Sequence, residues 1–168
     1  MSGFLKALIV LLGVALGAAA ISIPYIDQIN KVQKKAEIKI NDQYITADVV
    51  KTEAARDKGL GGRSELGINE GMLFIFNKAE AYGFWMKGME IPIDIVWIYK
   101  GIIVGFNENV NPEPGVSDDK LKVYYPPQPV DQVLELRSGR ISLLKAKIGD
   151  NVYVRPLIPA SGILSNPQ

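Results

Sequence analysis

Asp94 stands in the middle of IPIDIVWIYK, a run from Ile91 to Lys100 that is apolar on either side of it. Alternate residues of a strand share a face, so Ile91, Ile93, Ile95, Trp97 and Tyr99 point one way. Pro92, Asp94, Val96 and Ile98 point the other. Both faces are greasy, which predicts a strand covered on both sides. A carboxylate there must be protonated, hydrogen-bonded or paired, because a buried unpaired charge costs several kcal/mol. The cations within reach in sequence are Lys87, at the end of the preceding apolar segment, and Arg63 and Arg56, upstream of it. Arginine suits a bidentate carboxylate contact. The expectation is therefore that Asp94 meets Arg63 or Lys87, with Trp85 beside the pair. Such a pair would either fix strand register or line a charged pocket.

Other chemistry is narrowed by what the chain lacks. It contains no histidine and no cysteine among its 168 residues. Thiolate nucleophiles, disulfides, imidazole bases and zinc sites built on those residues are excluded. Internal acid–base chemistry would fall to Asp94 or Glu108, with Lys87 or Arg63 stabilising charge. A glycosidase pair made of Asp94 and Glu108 would need a sugar cleft rich in aromatics, and the chain has two tryptophans. An oxygen-ligand metal site on Asp94, Glu108 and Asp118-Asp119 has no calcium-loop spacing behind it, so no metal is predicted. No cofactor motif is present, because the glycines at 59, 61 and 62 follow a helix pattern instead of opening one. Net charge is +1, with no basic run interleaved with aromatics, which argues against a nucleic-acid partner. Glu135, between Leu134 and Leu136, is expected on the wet face of a half-covered sheet.

The elements that would position these residues are read from pattern. Residues 1–35 differ in material from the rest. Ala7 to Ile23 reads ALIVLLGVALGAAAISI, near the lower length limit for a bilayer span at about 1.5 Å rise per residue. Ala18-Ala19-Ala20 offers a small-residue cleavage site, whereas the length of the apolar core favours a retained anchor. Counting Lys31, Lys34 and Lys35 would keep the C-terminal domain in the cytoplasm. A lone N-terminal hydrophobic segment normally exports the chain on its C-terminal side, and export is the favoured reading. The chain is thus expected at a cell membrane through a single N-terminal hydrophobic helix, with its globular part outside the cytoplasm.

Residues 36–156 read as one domain and 157–168 as a tail. Ala36–Ile40 and Tyr44–Lys51 alternate around Asn41-Asp42, a hairpin signal. Thr52 can cap a short helix with Glu53 in its first turn, Arg56 and Lys58 near its end, and Gly59 beyond. Met72–Phe76, Ala81–Met86, Ile93–Tyr99, Ile102–Asn109, Val133–Leu136 and Val152–Arg155 read as strands. Lys100-Gly101 is a tight turn. NPEPG and YYPPQP mark a long surface loop, and Ser138–Lys147 is a short helix candidate. The fold class is α+β dominated by antiparallel sheet, with closure into a small barrel as one form it can take.

Several pieces occur in a set order: Arg56-x-x-Gly59-Leu60, Arg63-x-x-Leu66, Gly71-Met72-Leu73-Phe74, Phe84-Trp85-Met86-Lys87, Ile91-Pro92-Ile93-Asp94, Glu108-Asn109, and VLEL with Gly139 before IGD. Together they resemble the prokaryotic family known as domain of unknown function 192, over roughly residues 38 to 154. The resemblance implies no activity. It does imply an exported or membrane-anchored setting, as members often have. Members usually carry Met where this chain has Gly61, and Asn-Thr where it has Gly88-Met89. The functional expectation is a tethered domain that binds a small polar or anionic ligand, or an envelope partner, through Arg56, Arg63, Lys87 and Trp85. An acid–base hydrolase and a pure scaffold are the alternatives.

Overall fold

The computed structural model describes residues 35–157. The hydrophobic segment 7–23, its stalk and the tail beyond residue 157 lie outside the described residues. Among the described residues no helix is long and apolar enough to cross a membrane.

Seven strands form one sheet: β1 (Lys35–Ile40), β2 (Gln43–Val50), β3 (Glu70–Glu80), β4 (Ile93–Tyr99), β5 (Ile102–Val110), β6 (Val130–Arg137) and β7 (Val152–Pro156). Two short helices accompany them, α1 (Glu53–Lys58) and α2 (Arg140–Leu144). The spatial order is β5-β4-β6-β3-β2-β1-β7. Every pair is antiparallel except β2–β3, the pair joined through α1. The β1–β2 and β4–β5 connections are the two-residue turns that the sequence predicts. Asn41 takes φ 53°, and Lys100 and Gly101 take φ 50° and 74°, the mirror-image turn whose twist suits a hairpin. Thr52 caps α1 by accepting from the Ala55 N–H, and Gly59 ends it at positive φ.

Two expectations are corrected. The sheet stays open instead of closing as a barrel. Beside its edge strands there is one isolated bridge, from Ile102 at the start of β5 to Asn151, the residue before β7. Ala81–Met86 is not a strand of the sheet. β3 already runs on to Glu80, and the segment then leaves the sheet to make one isolated bridge, Phe84 to Tyr124, with the proline-rich loop.

The central strands are covered on both faces, as β4 predicts. Val96 and Ile98 pack with Ile38, Leu73 and Leu134 on the face closed by Ile141 and Leu144 of α2. Ile93, Ile95 and Trp97 pack with Met72, Phe74 and Val133 on the other, closed by Leu60, Leu66 and Met86 from the connections. Fully burying such side chains contributes about 1.5–3 kcal/mol each. Strand β6 lies between β4 and β3, and at Gly71 the β3 and β6 backbones come close. A Cβ there would fall 2.7 Å from the Glu135 carbonyl oxygen and 3.0 Å from Leu136 Cδ2. Gly71→Ala is expected to destabilise the domain by about 2 kcal/mol through overpacking. The check is the urea midpoint, which should fall while the slope stays unchanged.

Candidate functional site

Asp94 is fully buried, at 0 % exposure, and among the described residues it makes no salt bridge. Its Oδ1 accepts the Asn109 backbone N–H at 2.8 Å, and its Oδ2 accepts the Ile141 backbone N–H at 2.9 Å. Both donors would otherwise be orphans. Between Ile93–Val110 and Ile95–Asn107 the ladder advances two residues on β4 and three on β5, so β5 bulges opposite Asp94. Asn109 sits in that bulge at φ 54°. Ile141 lies in the first turn of α2, whose N-cap residue, Gly139, has no side chain to offer. Asp94 thus serves as a cap brought from a neighbouring strand.

The expected ion pair is therefore corrected, and the reason is the side of the sheet. Arg63, Lys87 and Trp85 come from connections over the face of Ile95 and Trp97, whereas Asp94 points to the face of Val96. Arg63 instead binds Asp48 of β2 at 2.6 Å, and Lys87 binds Asp118 at 2.7 Å. Arg56 donates to the carbonyls of Lys51 and Ile75 and lies 5.0 Å from the Phe76 ring centre. Glu108 is exposed on the edge strand β5. With Asp94 sealed and Glu108 in water on the sheet's rim, the two do not form a catalytic pair. Among the described residues no group of three Asp or Glu side chains could hold a metal ion.

The group that sequence reasoning misplaces is Glu135. It is 6 % exposed, with Met72 and Ile95 as its lateral neighbours on β3 and β4. Its Oε2 has no hydrogen-bond partner. Burial pushes the carboxyl up to about 8, with the positive charge of Arg63 opposing. This acid lines a cavity of about 270 Å³ between the end of α1 and the Tyr82–Lys87 segment. Phe84 sits edge-on to Phe74 at 4.9 Å and to Trp97 at 5.5 Å, and Tyr82 stacks on Phe76 at 3.6 Å. Trp85, 47 % exposed, stands at the mouth. The two walls are tied where the Gly62 N–H donates to the Gly88 carbonyl at 2.9 Å. A wider depression of about 670 Å³ near Ser64, Glu65 and Arg137 has no buried ionisable residue in its lining.

A family model, DUF192, described as an uncharacterized ACR, matches residues 34–154. The chain belongs to the DUF192 family. Its structure is similar to that of a proposed transcription regulator from Sinorhizobium meliloti 1021. That likeness has a TM-score of 0.65 and 25% identity, covering 73% of this chain and 95% of that chain. It is also similar to a protein of unknown function from Novosphingobium aromaticivorans DSM 12444, with TM-score 0.61 and 27% identity over 71% of this chain and 83% of that chain. A comparison with curated proteins returned no match. Some of the residues that carry the resemblance fall at these two places. Arg56, Gly59, Phe74, Phe84, Trp85 and Glu135 surround the cavity, and Asp94 meets Asn109 at the bulge. Gly88 takes φ 64°, a conformation asparagine also tolerates. Gly61 lies against the Lys58 carbonyl, where a Cβ would come within 3.0 Å.

Proposed function

We propose that this DUF192 domain is a non-catalytic binding module for a small polar molecule, tethered by residues 7–23 and held outside the cytoplasm. One observation carries the binding reading: a buried carboxyl with an unpartnered oxygen lies against an aromatic cavity. Such a group is costly to keep, since a desolvated polar atom without a partner destabilises by about 1–3 kcal/mol. A ligand that supplies the missing partner recovers that cost on binding. The lining combines five aromatic rings with six charged side chains, the mix of apolar wall and polar groups that a small polar molecule needs. The transcription-regulator label of the Sinorhizobium protein finds little support in this domain. Among the described residues the two α-helices have six and five residues, shorter than a recognition helix.

The test is a thermal-shift screen of the full chain against small amines, alcohols and carboxylates. At least one class is expected to raise the melting temperature, because a ligand at 100 times its Kd adds about 2.7 kcal/mol to the folded state. Trp85→Ala, a change at an exposed position, should weaken that shift while leaving the unliganded melting temperature in place. A screen in which no class stabilises the chain would remove the binding reading.

A further inference from the structure

The charges around the cavity are unequal in how well they are answered. Of its three cations, Lys87 is held by Asp118 at 2.7 Å, and Arg56 is occupied by two backbone carbonyls and the Phe76 ring. Only Lys58 has no such engagement among the described residues. Its three acids, Glu53, Asp57 and Glu135, make no ion pair there either. Of the ionised groups left without an ion pair, two are acids, Glu53 and Asp57, and one is a cation, Lys58; the deepest group of the lining is the Glu135 carboxyl. The remaining lining includes Phe74, Phe76, Tyr82, Phe84 and Trp85, whose ring faces attract cations.

We propose that the molecule taken up by this cavity carries an ammonium group, its N–H donors meeting the Glu135 carboxyl and its carbon skeleton resting against Phe84 and Trp85. This deepens the small-ligand reading above and rests on it. A neutral acceptor or an anion would bring no donor to the Glu135 carboxyl, and an anion would also meet the unpaired acids Glu53 and Asp57. The ammonium ion supplies the missing donor and a counter-charge in one group, and charge-assisted bonds are the strong ones in a desolvated site.

A proton is linked to the event. With the cavity empty, burial keeps the Glu135 carboxyl protonated up to about pH 8. An ammonium ion stabilises the carboxylate, so one proton leaves Glu135 for solvent as the amine enters. The charged groups that face Glu135 are Arg63 from the glycine loop, Arg56, Asp57, Lys58 and Glu53 of α1, and Lys87 with Tyr82 from the opposite wall. Its neighbours on β3 and β4, Met72 and Ile95, carry no charge. None of the facing groups has an ordinary pKa between 6 and 9. The pH dependence in that window therefore belongs to Glu135, and affinity for an amine should rise about 100-fold between pH 6 and pH 9.

The experiment uses the full chain and three matched probes: n-butylamine, n-butanol and butyrate. Trp85 at the mouth reports occupancy by its fluorescence, while the other tryptophan, Trp97, is buried and supplies a constant background. Butylamine is expected to give a saturable change that butanol and butyrate do not give at equal concentration. Titration calorimetry at pH 7 in two buffers of different ionisation enthalpy should read close to one proton released per amine bound. Glu135→Gln should weaken butylamine at least tenfold and abolish the proton release. Tighter or equal binding of butanol or butyrate, or butylamine binding that Glu135→Gln leaves unchanged, overturns the ammonium assignment while the small-ligand reading stands. Failure of all three probes overturns the assignment as well, and only a blank result in the wider screen also removes the small-ligand reading.

Discussion

Asp94→Asn is expected to lower the stability of the domain by about 4 kcal/mol, with a fall in melting temperature on the order of 10–20 °C. The reasoning is one of acceptors. The carboxylate places one oxygen on the Asn109 N–H and the other on the Ile141 N–H, at 2.8 and 2.9 Å, in a site at 0 % exposure. An asparagine side chain presents one oxygen and one NH₂. Whichever way it turns, a donor faces a donor, and one backbone N–H is left buried without a partner. The loss acts at two separated places in the chain, the β5 bulge and the first turn of α2. Hydrogen exchange at both amides should accelerate together. Denaturation of Asp94→Asn within about 1 kcal/mol of the parent chain would mean that water reaches these donors, against the burial described above.

Glu135→Gln should do the opposite, and only at higher pH. A carboxyl held at about 8 in the folded chain, against an ordinary 4.5, binds its proton more tightly when folded. Its stabilising contribution is complete below pH 4.5, declines as pH rises from there to 8, and is flat beyond. At 1.36 kcal/mol per pK unit the decline has a ceiling of about 5 kcal/mol. The glutamine variant, neutral at every pH, escapes it. The two chains are expected to melt at similar temperatures near pH 4.5. By pH 8–9 the variant should melt higher, and the difference should plateau above pH 9. Parallel melting curves across that range would show that Glu135 does not titrate out of place.

Much of the domain is legible in sequence because its signals are local. The Asn41-Asp42 and Lys100-Gly101 turns, the Thr52 cap, the Gly59 stop and the limits of β4 depend on residues within a few positions of one another. Strand order is not local, and the misplaced residues trace to it. Glu135 alternates with Leu134 and Leu136 as a half-wet strand should, but β6 is inserted between β3 and β4. Its second face is covered by Leu60, Leu66 and Met86 from the connections. Asp94 is marked in the sequence as a carboxylate that needs an answer. The answer comes from backbone N–H groups of a bulge and a helix start, which composition does not advertise. Arg140 escapes a sequence reading for the same cause. It is 5 % exposed and donates to Gln43 and Asn69, both at 2.9 Å, partners 97 and 71 residues away.

The position of β6 has a consequence for how the chain comes together. Without it, β1–β3 and β4–β5 share no ladder: the first group ends at β3 and the second at β4, each with an open, apolar-flanked edge. A growing or threading polypeptide therefore holds two unjoined half-sheets until residues 130–137 arrive to stitch them. Any truncation upstream of that stretch yields fragments with two sticky borders, not a smaller version of the domain.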